Sequence, residues 1–211
     1  MARLPVTKTP KVFVGGAFIR SESGRTFPFK TPKGEFVGHV PQCTRKDLRN
    51  AVEVAAKAIP GWARRTAYNR AQILYRLAEM IEARAAELSQ AIALSGTSST
   101  AARREVEAAV DRLVHYAGWA DKYEQVLGAV NPVSGPYFNF TVTEPTGVLG
   151  LIAPLDAPIL ALISLVAPAI LSGNTVVVLA SESQPYPAVL LGEMLATSDL
   201  PGGVVNLLTG Y

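Results

Sequence analysis

The chain has 211 residues, of which 49% are hydrophobic, and its 20 basic and 17 acidic residues give a formal net charge of +3. This apolar content can supply a packed core and argues against disorder over most of the length. The basic and acidic residues are mixed along the sequence without a long basic block. We therefore expect no nucleic-acid partner.

Cysteine usage and hydropathy indicate the compartment. The single cysteine, Cys43, rules out an internal disulfide and fits a reducing environment. The first seven residues have no apolar core typical of a secretion signal, so we expect a cytoplasmic protein. The only apolar stretch of bilayer length, residues 148–171, contains three prolines and Asp156. A buried strand followed by a helix explains it better than a membrane span.

The first part of the chain predicts short strands and then helices. Residues 11–40 contain apolar runs separated by turns at Gly15-Gly16 and at residues 21–26. Three amphipathic helices follow. The first begins with a capping box formed by Thr44 and Asp47. Its predicted inward face and C-terminal stop are Leu48, Ala51, Val52, Ala55 and Ile59, then Pro60-Gly61; the other two helices span residues 66–94 and 105–123.

After Leu127 the pattern changes to alternating strands and helices. A turn-rich link at residues 131–136 precedes an alternating, half-exposed strand at 138–143. Further strands are predicted at residues 147–153, 175–179 and 204–208, with helices at 159–171 and 188–196 between them. Nearly continuous β-branched runs favour a parallel sheet covered on both faces, hence an α/β fold. The strand at 204–208 has no following helix, so we expect it to be uncovered and to form an open sheet edge that attracts a partner.

Three motifs occur in order along the second half of the chain: Glu144-Pro-Thr-Gly-Val-Leu-Gly-Leu-Ile-Ala-Pro154, Ala167-Pro-Ala-Ile-Leu-Ser-Gly-Asn-Thr-Val-Val-Val178 and Leu200-Pro-Gly-Gly-Val-Val-Asn-Leu-Leu-Thr-Gly210. Together they resemble the aldehyde dehydrogenase superfamily. Val14-Gly-Gly-Ala-Phe18 and Tyr116-Ala-Gly-Trp-Ala120 fit as well, so the resemblance covers essentially the whole chain.

The resemblance implies a truncated aldehyde-dehydrogenase-like fold, with a Rossmann-like parallel sheet, flanking helices and additional N-terminal strands and helices. Members oxidise aldehydes to acids with NAD or NADP through a cysteine thiohemiacetal, and they carry a strand arm for oligomerisation. The implied organisation is an N-terminal tail (1–10), the strands and helical part of the cofactor domain (11–130), a linker with the oligomerisation-type strand (131–146), and the first βαβαβ part of the cofactor domain (147–211).

The implied cofactor-binding positions are Ile152, Ala153, Pro154, Leu179, Ser181 and Glu182. The family usually has a lysine followed three residues later by a glutamate, both on the adenosine ribose or its phosphate. Here Leu179 stands at the lysine position while Glu182 keeps the glutamate. A leucine cannot pair with a phosphate or donate to a ribose hydroxyl. This departure counts strongly against binding of NADP and implies weaker binding of NAD.

A second departure concerns the oxyanion. The family's Pro-Trp-Asn-Phe-Pro motif reads Pro154-Leu-Asp-Ala-Pro158 here, so Asp156 stands where the family's oxyanion-stabilising asparagine stands. An ionised carboxylate donates no hydrogen bond and would repel an oxyanion. Loss of one such donor typically costs about a hundredfold or more in rate. Asp156 is alternatively a cap for the helix that begins near Pro158.

Other candidate groups are sparse. The family's Gly-Ser-Thr segment, general-base glutamate and catalytic cysteine correspond to positions beyond Tyr211. Cys43 precedes a helix N-terminus, which could lower its pKa, but a packed or surface thiol without a role is the favoured interpretation. His39 and His115 have no partners at metal-ligand spacing, so we expect no metal site. Trp62 and Trp119 are interpreted as core residues between helices.

Three functions remain open from the sequence. The first is a non-catalytic module with a structural or assembly role, associated with itself or with a second aldehyde-dehydrogenase-like chain. The second is one half of a split NAD(P)-dependent dehydrogenase whose partner supplies the cysteine and glutamate. The third is a nucleotide-binding module without turnover, which Glu182 supports and Leu179 opposes.

Overall fold

The structure, a computed structural model, describes residues 8–211 and begins with two antiparallel hairpins. Strands β1 (Val12–Val14) and β2 (Ala17–Ile19) are joined by Gly15 and Gly16, whose φ angles of 64° and 83° lie in the left-handed region that glycine tolerates best. Strands β3 (Thr26–Lys30) and β4 (Phe36–Pro41) form the second hairpin. The predicted short strands are confirmed.

Five helices follow. They are α1 (Arg45–Ala63), α2 (Ala67–Ala83), α3 (Ala85–Ala93), α4 (Ser99–Ala117) and α5 (Tyr123–Leu127). The predicted capping box is present, because the Thr44 side chain accepts from the Asp47 backbone while the Asp47 carboxylate accepts from the Thr44 backbone. Ser98 similarly caps α4 through Ala101 N, so α4 starts six residues before the predicted Glu105.

Three further predictions about these helices are wrong. α1 does not end at Pro60 but continues to Ala63, where burial of Trp62 supports the last turn. The helix predicted over residues 66–94 is two helices, because Arg84 leaves helical geometry (φ −115°, ψ 21°) and its guanidinium bonds Glu193. On α1, Leu48 and Val52 are exposed, and Trp62 belongs to the buried face instead.

The second half builds the sheet. Strands β5 (Val130–Asn131) and β6 (Asn139–Phe140) pair as a hairpin. β6 has only two residues and is therefore shorter than the strand predicted at 138–143. Then come β7 (Val148–Ile152), α6 (Pro158–Leu171), β8 (Thr175–Leu179), α7 (Pro185–Leu195) and β9 (Val205–Leu208). The five-stranded order is β2-β1-β9-β8-β7, with β7, β8 and β9 parallel. The predicted α/β class with a Rossmann-like parallel sheet is confirmed.

The expectation that β9 forms an open, uncovered edge is wrong. All four residues of β9 are buried, since β8 and β1 flank it and α1 and α7 contact it. The N-terminal hairpin therefore covers the side that the sequence left open. The edge strands of this sheet are β2 and β7. Ile152 of β7 is 77% exposed, so β7 is not the buried strand predicted.

Helix α6 lies at the centre of the helical layer, and side chains from three other helices hold its two ends. At its N-terminus, Glu105 Oε1 of α4 accepts from Ile159 N at 2.8 Å and from Leu160 N at 3.2 Å. At its C-terminus, Trp62 Nε1 donates to Ile170 O at 2.8 Å. The buried Arg70 guanidinium donates to the neighbouring carbonyl oxygen of Leu171, at 2.7 Å. These bonds satisfy backbone groups that a helix terminus leaves unpaired. Within residues 8–211, no helix is long and apolar enough to cross a membrane.

We expect Glu105→Ala to lower the free energy of unfolding by about 1–2 kcal/mol, because it removes a cap from a partly buried helix terminus. Urea denaturation followed by circular dichroism measures the change. Glu107→Ala is the matched control, since Glu107 lies on the same helix but pairs with Arg103 on the surface. That exposed pair contributes little, so equal losses in the two variants would contradict the capping role.

Candidate functional site

The three parallel strands end at one edge of the sheet. Ile152 of β7 lies beside Leu179 of β8, which in turn lies beside Leu208 of β9. In open α/β sheets, ligands bind at the carboxyl ends of the strands. The region formed by residues 152–156 after β7 and residues 179–184 after β8 is hereafter the carboxyl edge, and it is the candidate functional site.

The structure brings all six sequence-predicted cofactor positions to the carboxyl edge. Ala153 N continues the β-ladder by donating to Leu179 O at 2.9 Å. Ile152 and Glu182 are exposed, whereas Leu179 is partly buried and Ser181 and Ala153 are buried. Their assignment to a cofactor stays a prediction. Chemically, the exposed Glu182 carboxylate can accept from ribose hydroxyls, and the apolar strand ends can pack against a flat ring.

One carbonyl joins the two loops of the carboxyl edge. Leu155 O accepts from Ser181 Oγ at 3.3 Å, from Ser183 Oγ at 3.4 Å and from Gln184 Nε2 at 3.2 Å. The Ser181 hydroxyl is therefore engaged with the protein rather than available to a ligand, and the loop after β7 is held against the loop after β8. The opposite end of the Gln184 amide, Oε1, is buried without a partner among the described residues.

Asp156 is exposed to solvent in the loop between β7 and α6. The prediction that it caps α6 is wrong, because the N-cap is Ala157, no side chain in that turn bonds the helix, and Glu105 supplies the cap from α4. Ala157 adopts a left-handed conformation (φ 49°, ψ 60°), which is uncommon for a residue with a Cβ. The Asp156 carboxylate has no hydrogen bond or ion pair within residues 8–211 and is exposed at the carboxyl edge.

Cys43 is partly buried and lies next to the carboxyl end of β9. Its backbone N–H donates to Thr209 O at 2.9 Å, and its side chain packs beside the small apolar cluster that contains Val12 and Leu208. Burial raises the pKa of Cys43 to about 11, which the hydrogen bond with Thr209 only partly offsets. The unreactive interpretation fits this thiol better than an activated one.

Both histidines contact aromatic side chains. The His39 ring contacts Phe36, and His115 is on the surface of α4 against Tyr116 and Trp119. No group of three His, Cys, Asp or Glu residues able to hold a metal ion occurs within residues 8–211. Trp62 is a core residue as predicted, whereas Trp119 is 39% exposed and is not.

Sequence reasoning missed two features of this site: the Glu105 cap and the Leu155 carbonyl shared by three donors. Glu105 is 54 residues from Ile159, and no local pattern marks a carboxylate that caps a different helix. The Ser-Glu-Ser-Gln run at residues 181–184 does signal a polar turn before a helix. Its acceptor, however, lies in another loop.

Comparison with known proteins agrees with this geometry. Residues 18–211 match the sequence profile of the aldehyde dehydrogenase family. The chain is 37% identical over 210 residues to retinal dehydrogenase 2 of Mus musculus, covering 97% of this chain and 40% of that protein. It is 34% identical over 206 residues to the mitochondrial benzaldehyde dehydrogenase of Antirrhinum majus, covering 95% of this chain and 38% of that protein.

Solved structures give the same result. An NAD+ complex of aldehyde dehydrogenase from Bacillus cereus superimposes with a TM-score of 0.92 at 31% identity, covering 97% of this chain and 42% of that chain. The chain thus spans about 40% of the length of the relatives that it matches. Profile, identity and fold agree over nearly every residue described, and we conclude that the chain belongs to the aldehyde dehydrogenase family.

Proposed function

We propose that these 211 residues form an aldehyde-dehydrogenase-like module that does not oxidise aldehydes by itself. The observation that carries the proposal is the state of Cys43, the only thiol in the sequence. It is packed against apolar side chains, and its pKa is raised to about 11. The chemistry of the family needs a thiolate that attacks the aldehyde carbonyl, and Cys43 cannot supply one near neutral pH.

The surfaces of the module support a role in assembly. β7 pairs with β8 on one side only, and an unpaired apolar strand is a template for another strand. The hairpin of β5 and β6 exposes Tyr137, Phe138 and Phe140. Such a cluster of exposed aromatics marks an interaction surface. The proposed partner is a second copy of this chain or another aldehyde-dehydrogenase-like chain, and the single cysteine fits a cytoplasmic setting.

The alternative is one half of a split dehydrogenase. A partner strand beside β7 would bring its own side chains to the carboxyl edge, where cysteine and glutamate would complete the chemistry. Asp156 opposes efficient catalysis even then, because an ionised carboxylate near a forming oxyanion raises its energy. This alternative predicts aldehyde oxidation only in the mixture of the two chains.

A nucleotide-binding role without turnover is the third proposal, and the exposed Glu182 at the end of β8 favours it. The structure of the Bacillus cereus relative is an NAD+ complex, and it superimposes on 97% of this chain. Leu179 limits the affinity because it offers no hydrogen bond, so we propose weak NAD binding and little selectivity for NADP.

The purified chain is expected to give no reduced nicotinamide when it is mixed with NAD or NADP and benzaldehyde, because no reactive thiolate is present. Absorbance of the reduced cofactor measures the reaction, and light scattering on the same sample gives the oligomeric state. Turnover by the chain alone that Cys43→Ser abolishes would overturn the proposal.

Cys43 is expected to react with a disulfide reagent at about pH 8 roughly a hundredfold more slowly than N-acetylcysteine. Burial disfavours the thiolate, so the rate should keep rising with pH up to the pKa of about 11. Unfolding in urea should restore the ordinary rate. A folded-state rate equal to that of the free thiol would show that Cys43 is activated.

Leu179→Lys is expected to increase nucleotide affinity by about tenfold, with the larger gain for NADP, because an ammonium at the end of β8 can pair with a ribose hydroxyl or phosphate. Calorimetric titration with each nucleotide measures the effect. Val126→Lys is the control, since it adds the same charge at an exposed position on α5. Equal gains in both variants, or no gain with Leu179→Lys, would argue against a nucleotide site at the carboxyl edge.

A further inference from the structure

A cavity of about 630 Å³ lies between the N-terminal segment, β2 and α7. Its volume falls in the range of roughly 300–1,000 Å³ that small-molecule pockets occupy. None of the residues of the carboxyl edge lines it, and no part of the proposed function uses it. The cavity therefore needs an explanation of its own.

Aromatic side chains that pack on one another form part of the apolar wall of this cavity. Tyr186 at the start of α7 stacks on Phe29 of β3, with a centroid separation of 6.1 Å and an interplanar angle of 9°. Phe18 of β2 packs against Phe13, with centroids 5.3 Å apart. The remaining apolar lining consists of Pro10, Val189, Leu190 and Ala196. A ligand would meet a wall that is already formed, which reduces the entropy cost of binding.

The charged part of the cavity is strongly basic. Four cations line it, namely Lys8, Lys11, Arg20 and Arg84, against one carboxylate, Glu193. Lys8 and Arg84 are both engaged with Glu193, which leaves Lys11 and Arg20 without an ion pair among residues 8–211. The lining carries a net charge of +3, counted as four cations less one carboxylate.

Glu193 stays ionised inside this arrangement. Burial raises the pKa of the Glu193 carboxyl, but hydrogen bonds from Lys8 and Arg84 outweigh it, so the pKa lies below its ordinary value. The carboxylate is thus committed to its two partners at neutral pH and does not compete for Lys11 and Arg20. Lys11 and Arg20 therefore line the cavity beside its apolar wall, and neither has a carboxylate partner among residues 8–211.

We propose that this cavity binds an amphipathic anion, with its anionic head on Lys11 and Arg20 and its apolar body against Phe18, Val189 and Leu190. We choose an anionic ligand because anionic groups pair well with arginine and lysine. The seven residues before Lys8 carry Arg3 and no acid, so they offer no anionic side chain to Lys11 and Arg20. Carboxylates and phosphate esters share the required chemistry.

Calorimetric titration of the full chain tests the proposal with four probes: decanoate, decyl phosphate, 1-decanol and inorganic phosphate. Decanoate or decyl phosphate should bind, and the tighter of the two identifies the head group. Decanol lacks the anionic head and inorganic phosphate lacks the apolar body, so both should bind much more weakly. Affinity should fall as salt rises, because the cations are near the surface. Equal binding of decanol and decanoate would overturn the proposal.

Variants locate the binding. The double variant Lys11→Met with Arg20→Met should lose about tenfold or more in affinity for the anionic probe, and Val189→Asp should abolish binding by placing a carboxylate in the cavity. Arg49→Met, an exposed cation on α1, is the matched control. Thermal melting verifies that each variant folds. Unchanged affinity in the double variant would overturn the proposal.

Two further measurements separate this site from its neighbours. Decanoate should not be displaced by NAD, because the carboxyl edge is a different surface; displacement would place the binding there and refute this assignment. A variant without residues 1–7 should bind decanoate as the full chain does. A large gain in affinity would mean that those residues occupy the cavity, which would also refute it.

Discussion

The structure depends on how the two ends of α6 are held. This helix is almost entirely apolar, and its own sequence offers no side chain to its terminal backbone groups at the N-cap. Glu105 accepts from its first N–H groups, while Trp62 and Arg70 donate to its last carbonyls. A carboxylate at the positive end and a guanidinium at the negative end also suit the helix dipole. Three helices are thereby fixed to a fourth that lies against the sheet.

That arrangement determines the carboxyl edge. α6 follows β7 through a loop whose carbonyl oxygen at Leu155 is bonded from the loop after β8, so fixing α6 also fixes where the two loops meet. The surface that results is mainly apolar at Ile152 and Leu179, with the Glu182 carboxylate exposed beside it. A nucleotide would find ring-packing surface and one acceptor there, but no cation for its phosphates.

The N-terminal hairpin makes the two ends of the five-stranded sheet different. β1 adds to β9 in antiparallel fashion and buries it, while β7 at the opposite side of the sheet keeps a free edge. The same hairpin forms one wall of the basic cavity with α7. Both β2 and β7 are edge strands, but only β7 continues the parallel part of the sheet, which is why the proposal of assembly rests on β7.

Local patterns were sufficient for much of the fold. The capping box at Thr44 and Asp47 and the bounds of β8 follow from residues adjacent in sequence, because capping and β-branched runs are short-range effects. The helix break at Arg84 does not follow from adjacent residues, since its partner Glu193 is 109 residues away. Nor does the burial of β9, which depends on a hairpin almost two hundred residues earlier in the chain.

Some features of the candidate site also follow from the sequence, and others only from the tertiary structure. The sequence by itself determined which residues end the parallel strands, and with the family resemblance it identified the departures at Asp156 and Leu179. Only the tertiary structure decided that Asp156 does not cap α6, that Ser181 is already bonded, and that Cys43 is partly buried with a raised pKa. The physical reason is that hydrogen-bond partners and desolvation come from residues distant in sequence, which no local pattern encodes.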